Sequence, residues 1–81
     1  MPGNISKIEM TNIAKSTLDY IKESVRNKNI SGNYNDTETI NDYEIRKIVE
    51  EDEYYYKCYK IVIEVKKKEQ IRRLESYVLQ Q

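Results

Sequence analysis

Histidine, tryptophan and phenylalanine are absent from this 81-residue chain, which has one Cys, one Pro and two Gly. Without histidine, the usual general base near neutral pH is missing. A single Cys forms no internal disulfide, which fits reducing surroundings, and a tetrahedral zinc site would need Cys and His ligands that the chain lacks. With glycine only at Gly3 and Gly32, neither a phosphate-cradling loop nor a dinucleotide fingerprint can be written. No apolar run approaches the ~20 residues of a membrane span, and no segment has the charged-then-apolar form of a signal peptide, so the expected compartment is the cytoplasm.

These absences point away from catalysis, and the chain is expected to be no enzyme and to need no cofactor or metal. Cys58 has no His partner and reads as a small, half-buried strand residue. Glu50, Glu51, Asp52 and Glu53 lack the spaced oxygen ligands of a calcium loop and read as a solvated acidic turn. Pro2 would become a secondary amine if Met1 were removed, but no strand is expected to place it in a pocket.

What remains is a chain with 35% charged and 38% hydrophobic residues, the latter in patterned clusters of Ile, Val, Leu and Tyr that argue against disorder. A domain this small buries only about 60% of the surface its unfolded chain exposes. Residues 1–81 are therefore expected to form one domain with a thin core. Net charge is zero but uneven: +2 over residues 1–29 (five basic, three acidic), −6 over 30–56 (two and eight) and +4 over 57–81 (seven and three). That profile disfavours both a wholly acidic nucleic-acid mimic and a wholly basic coat.

Ser6-Lys7-Ile8-Glu9 reads as a capping box, followed by a helix with Met10, Ala14, Thr17, Leu18, Ile21 and Val25 on one stripe. The helix should end near 27–29. Residues 29–38 read as a flexible loop, with turn chemistry concentrated in Asn29 to Asp36 and a short strand over Thr37 to Ile40. Tyr43 to Val49 suits a helix or a strand, and a strand is favoured because it supplies the next segment with an antiparallel partner. Tyr54 to Val65 reads as a strand whose odd face, Tyr55, Lys57, Tyr59, Ile61, Ile63 and Val65, looks inward. An odd-numbered connection near Glu51-Asp52, or a bulge, is needed to keep the apolar sets of these two strands on one face. Lys66 to Gln81 returns to helical spacing with Ile71, Leu74 and Val78 inward. The expected fold class is thus α+β: a helix, an antiparallel β-hairpin or three-stranded sheet, and a C-terminal helix.

Two kinds of surface stand out. On the even face of the long strand, Tyr54, Tyr56, Cys58 and Val62, beside acidic Glu50, Glu51, Asp52 and Glu53, form a candidate protein interface, since tyrosine joins apolar area to a polar tip. The competing reading is a small sheet covered on both sides, or simply a few exposed tyrosines. The small size, the Asn/Ile/Lys/Glu/Tyr usage and the missing catalytic equipment resemble short phage and mobile-element proteins that block host machinery, including anti-CRISPR proteins. That resemblance implies a stoichiometric inhibitor or regulator with a protein partner.

The alternative surface is basic. Lys66, Lys67, Lys68, Arg72 and Arg73 would gather at the start of the last helix, and with strand tyrosines as stacking platforms they make an RNA- or DNA-binding module. The element order and Lys66-Lys67-Lys68 before Ile71 resemble the double-stranded RNA-binding domain. A free strand edge or the even face could also build a homodimer.

Overall fold

The computed structural model describes residues 2–80, and the side chains of residues 7–80. One helix, α1 (Pro2–Arg26), is followed by four strands: β1 (Tyr34–Ile40), β2 (Tyr43–Glu51), β3 (Cys58–Lys67) and β4 (Gln70–Leu79). The strands form one antiparallel sheet in the order β1-β2-β3-β4. The expected C-terminal helix is overturned: residues 70–79 are the fourth strand. Ile71, Leu74 and Val78 carry helical spacing, but β3 has a second edge of unpaired backbone groups, and β4 satisfies it. As a strand, this segment turns Leu74 and Val78 toward the core and leaves Ile71 exposed.

The helix begins at Pro2, so Ser6 and Glu9, expected at its N-terminus, lie within it; the Ser6 side chain that the expected capping box needs lies outside the described residues. Met10, Ala14, Ile21 and Val25 are fully buried, and Leu18 and Ile13 pack beside them. The Glu9 carboxylate instead accepts from the Tyr43 hydroxyl at 2.5 Å, tying the helix to β2. At the C-terminus, Lys28 enters the left-handed region (φ 63°), and the amides of Asn29 and Ile30 donate to the Ser24 carbonyl. This reversal satisfies carbonyls that a helix end leaves open. Gln80 closes the same corner, donating its side-chain amide to the carbonyls of Val25 (3.1 Å) and Ile30 (3.4 Å).

Strand β1 starts at Tyr34, so the loop after the helix is shorter than the residues 29–38 expected to be flexible. A two-residue turn, Asn41-Asp42, joins it to β2, with Asn41 at φ 56°. Between β2 and β3, Glu51 pairs with Tyr59 and residues 52–58 lie between them, an odd number. Odd positions therefore meet odd positions: Val49 lies beside Ile61 and Ile45 beside Val65. All four are buried on the helix side. Opposite β4, Ile63 meets Leu74 and Tyr59 meets Val78. Helix α1 lies chiefly over β3 and β4, and the core sits between them.

Where the helix does not reach, the inward face turns polar. Lys47, between Ile45 and Val49, is mostly buried and binds Glu38 at 3.0 Å and Asp36 at 3.7 Å across the β1–β2 pair. Burial disfavours its charge, but the hydrogen bond to Glu38 and the charges of Glu38 and Asp36 outweigh that, and the ammonium pKa is raised. The acidic third of the chain thus neutralises a lysine that patterning alone would send to the core.

Candidate interaction loop

The stretch Tyr54-Tyr55-Tyr56 is not strand. It belongs to the β2–β3 connection, residues 52–57, and β3 begins only at Cys58. The expectation that Tyr55 points inward with Tyr59 is corrected accordingly: Tyr54, Tyr55 and Tyr56 are 87%, 70% and 88% exposed, whereas Tyr59 is 5% exposed. Alternation holds only where a neighbouring strand fixes the pleat, and the ladder stops at the Glu51–Tyr59 pair.

The loop is braced by its acidic flank. The Asp52 carboxylate Oδ1 accepts from the backbone amides of Tyr54 (2.8 Å) and Tyr55 (3.0 Å), an Asx-type turn. Backbone bonds from Asp52 N–H to the Cys58 carbonyl (2.8 Å) and from Cys58 N–H to the Tyr55 carbonyl (3.2 Å) close its base, and Gln80 N–H donates to the Lys57 carbonyl at 2.8 Å. Lys57 takes φ 60° at the exit, and its ammonium lies 5.5 Å from the Tyr56 ring centroid. A short irregular segment is therefore held by hydrogen bonds at both ends while its three aromatic side chains project into solvent.

The other interface candidates fall into different places. Glu50 and Glu51 end β2, and the Glu51 amide donates to Asn33 Oδ1. Glu53 is exposed and lines, with Asn33, Tyr34 and Asn35, an open cleft of about 400 Å³. Cys58 is half-buried on the sheet face away from the helix. Val62 shares that face but is buried: it sits on a central strand, paired with Ile48 on one side and Glu75 on the other. The same face carries ion pairs from Glu75 to Lys60 (3.9 Å) and to Arg73 (2.9 Å).

The basic candidates do not form one cluster. Lys66 and Lys67 end β3, Lys68 starts the turn to β4 at φ 56°, and alternation sends Arg72 and Arg73 to opposite faces. The Lys67 ammonium lies 5.0 Å from the Tyr43 ring centroid. Arg72 shares a surface recess with Lys7 of the helix, a neighbour that linear spacing does not reveal. Lys66, Lys67 and Lys68 stand at the opposite end of β3 from the tyrosines, about 30 Å away for a strand of this length, and Arg72 and Arg73 lie level with Val65 and Glu64, about 20 Å along it from Cys58. With the last helix gone, the resemblance to the double-stranded RNA-binding domain loses the element that carried it.

Among the described residues, no group of three or more Cys, Asp or Glu is placed to hold a metal ion, and no helix is long and apolar enough to cross a membrane. No protein-family model, curated protein or solved structure matches the chain.

Proposed function

We propose that this chain is a small, non-enzymatic binding protein that acts by stoichiometric occupation of a protein partner, with the Tyr54-Tyr55-Tyr56 loop as its anchor. The observation that carries the reading is the exposure of three consecutive tyrosines on a loop braced by Asp52. Exposed apolar area of this kind gains from burial, the tyrosine hydroxyls supply polar contacts, and a braced loop loses little conformational freedom when bound. Glu50, Glu51 and Glu53 beside it favour a partner with an apolar pocket and a basic rim. The size and composition that resemble short phage and mobile-element proteins support the narrower reading of an inhibitor of host machinery. The separation of the tyrosines from Lys66, Lys67, Lys68 and Arg72 weighs against the nucleic-acid alternative, since stacking and phosphate contacts would fall on different ends of the molecule.

The test is capture from a lysate of the source cell by the wild-type chain and by a Tyr54→Ala/Tyr56→Ala variant, alongside binding to labelled RNA and DNA across a salt series. A protein retained by the wild type and lost at least about tenfold by the variant, with unfolding unchanged, is expected, the scale of aromatic anchor residues. Equal retention by both overturns the reading. So does nucleic-acid binding that survives about 0.15 M salt and falls when Lys66, Lys67 and Lys68 are neutralised.

A further inference from the structure

We infer that the free edge of β4 pairs with the same edge of a second copy, giving a two-fold symmetric dimer with a continuous eight-stranded antiparallel sheet whose axis passes through Leu74. Among the described residues, the sheet has two free edges, β1 and β4. An edge strand presents unpaired N–H and C=O groups that template a further strand. Strand β4 is ten residues long and exposed over most of its length, with Ile71, Tyr77 and Leu79 all open on the face away from the helix.

The register follows from its sequence. Paired antiparallel about Leu74, Arg73 of each copy lies opposite Glu75 of the other, Ile71 opposite Tyr77, and Arg72 opposite Ser76. Each arrangement occurs twice by symmetry, so two opposite-charge pairs and two apolar pairs form on the open face. Shifting the axis to Glu75 sets Glu75 against Glu75, and shifting it to Arg73 sets Arg73 against Arg73. One-residue shifts set the helix-bearing face of one copy level with the open face of the other. Among these registers, the one centred on Leu74 keeps the faces matched and sets Arg73 opposite Glu75.

The helix fits the same arrangement. Because α1 lies over β3 and β4 and strands are about 4.8 Å apart, two symmetry-related helices would stand about 10 Å apart, a distance at which helices pack. Ile8, 60% exposed, borders Arg72 on this flank. The β1 edge offers no equivalent: it is shorter, and pairing it with itself about Thr37 would set Asp36 against Glu38. In the β4 dimer the two tyrosine loops lie at opposite ends of the joined sheet, leaving both free.

Charge reversal tests this by sedimentation. At about 100 μM, where a micromolar dimer is nearly complete, the wild type should have twice the 9.7 kDa chain mass. Arg73→Glu alone and Glu75→Arg alone should each weaken self-association at least about tenfold. An equimolar mixture of the two variants should recover a 1:1 dimer, because each strand then meets only opposite charges. Hydrogen exchange of the wild type should show amides of Gln70–Leu79 becoming more protected with concentration, while those of Tyr34–Ile40 do not. A wild type that stays at the single-chain mass overturns the proposal, as do single variants that dimerise normally, a mixture that stays monomeric, or a mass that keeps growing past the dimer. The last result would instead mean open pairing of β4 with β1.

Discussion

Two adjacent segments of similar composition, Glu53–Lys57 and Cys58–Val65, meet opposite fates. Both carry tyrosine and lysine, yet the first places its three tyrosines in solvent and the second sends Tyr59 into the core. The difference lies in hydrogen-bond partners. From Cys58 onward each residue faces Leu79, Val78 and successive residues of β4, and pairing fixes which side chains point toward α1. Before Cys58 the backbone is paired to its own acidic flank through Asp52. An aromatic residue is core or display here according to whether a neighbouring strand sets its direction, and its own hydrophobicity does not decide.

The sharpest way to break that comparison is to truncate one tyrosine on each side of the boundary. Tyr59→Ala should cost about 3–5 kcal/mol, and Ile61→Ala about 2–5 kcal/mol, because both leave cavities under the helix. Against the small stability expected of such a domain, either change should leave much of the protein unfolded at room temperature, measured by urea denaturation. A loss under 1 kcal/mol for Tyr59→Ala would mean that the inward face of β3 is misassigned.

The next test addresses the brace. Asp52→Ala removes the acceptor for two loop amides and should cost about 1–2 kcal/mol. Amide exchange at Tyr54 and Tyr55 should accelerate, whereas amides within β3 should accelerate only by the factor that the lost global stability sets. If loop exchange is unchanged, the tyrosines are positioned by something other than the carboxylate.

The same boundary explains how much of the molecule was legible in its sequence. The helix stripe from Met10 to Val25 and the odd-face set from Tyr59 to Val65 were readable, since period alone identifies both. The requirement for an odd connection also followed from the apolar pattern on either side of Glu51. Residues 66–81 were not readable as strand because their turn, Lys68-Glu69, lacks the Gly or Asn that marks a tight hairpin, and because Ile71, Leu74 and Val78 fit a helical period by coincidence. The Asn41-Asp42 turn did carry such a signal, and it would have extended β1 back toward Tyr34. For the candidate site, the acidic flank and the tyrosines were visible as residue types, but their separation from β3 depends on where pairing stops. Lys7 beside Arg72 depends on the helix crossing β4, which no local pattern encodes.

A smaller effect should come from the residue at the boundary itself. Lys57 holds φ 60°, a conformation that costs a side-chain-bearing residue about 1–2 kcal/mol and glycine almost nothing. Lys57→Gly loses the weak contact of its ammonium with the Tyr56 ring and gains unfolded-state entropy that opposes folding. A net stabilisation of about 0.5 kcal/mol is expected, read as a rise in the denaturation midpoint at unchanged slope. A destabilised variant would show that the lysine side chain contributes more to the loop than its backbone conformation costs.

The smallest expected change in stability belongs to the residues with the largest expected role. Tyr54→Ala and Tyr56→Ala remove side chains that are almost wholly solvent-exposed, so each should alter unfolding free energy by no more than about 0.5 kcal/mol, the range for surface positions. Three consecutive exposed tyrosines contribute nothing to the core and leave apolar area in water. A chain with so thin a core and no Phe or Trp nevertheless spends three of its aromatic residues there. Denaturation curves for both variants that overlay the wild type would show that these side chains are independent of the core, as the proposed anchor role requires. A loss above 1 kcal/mol in either would mean that the loop folds back onto the domain in solution, and the tyrosines would then belong with Tyr59.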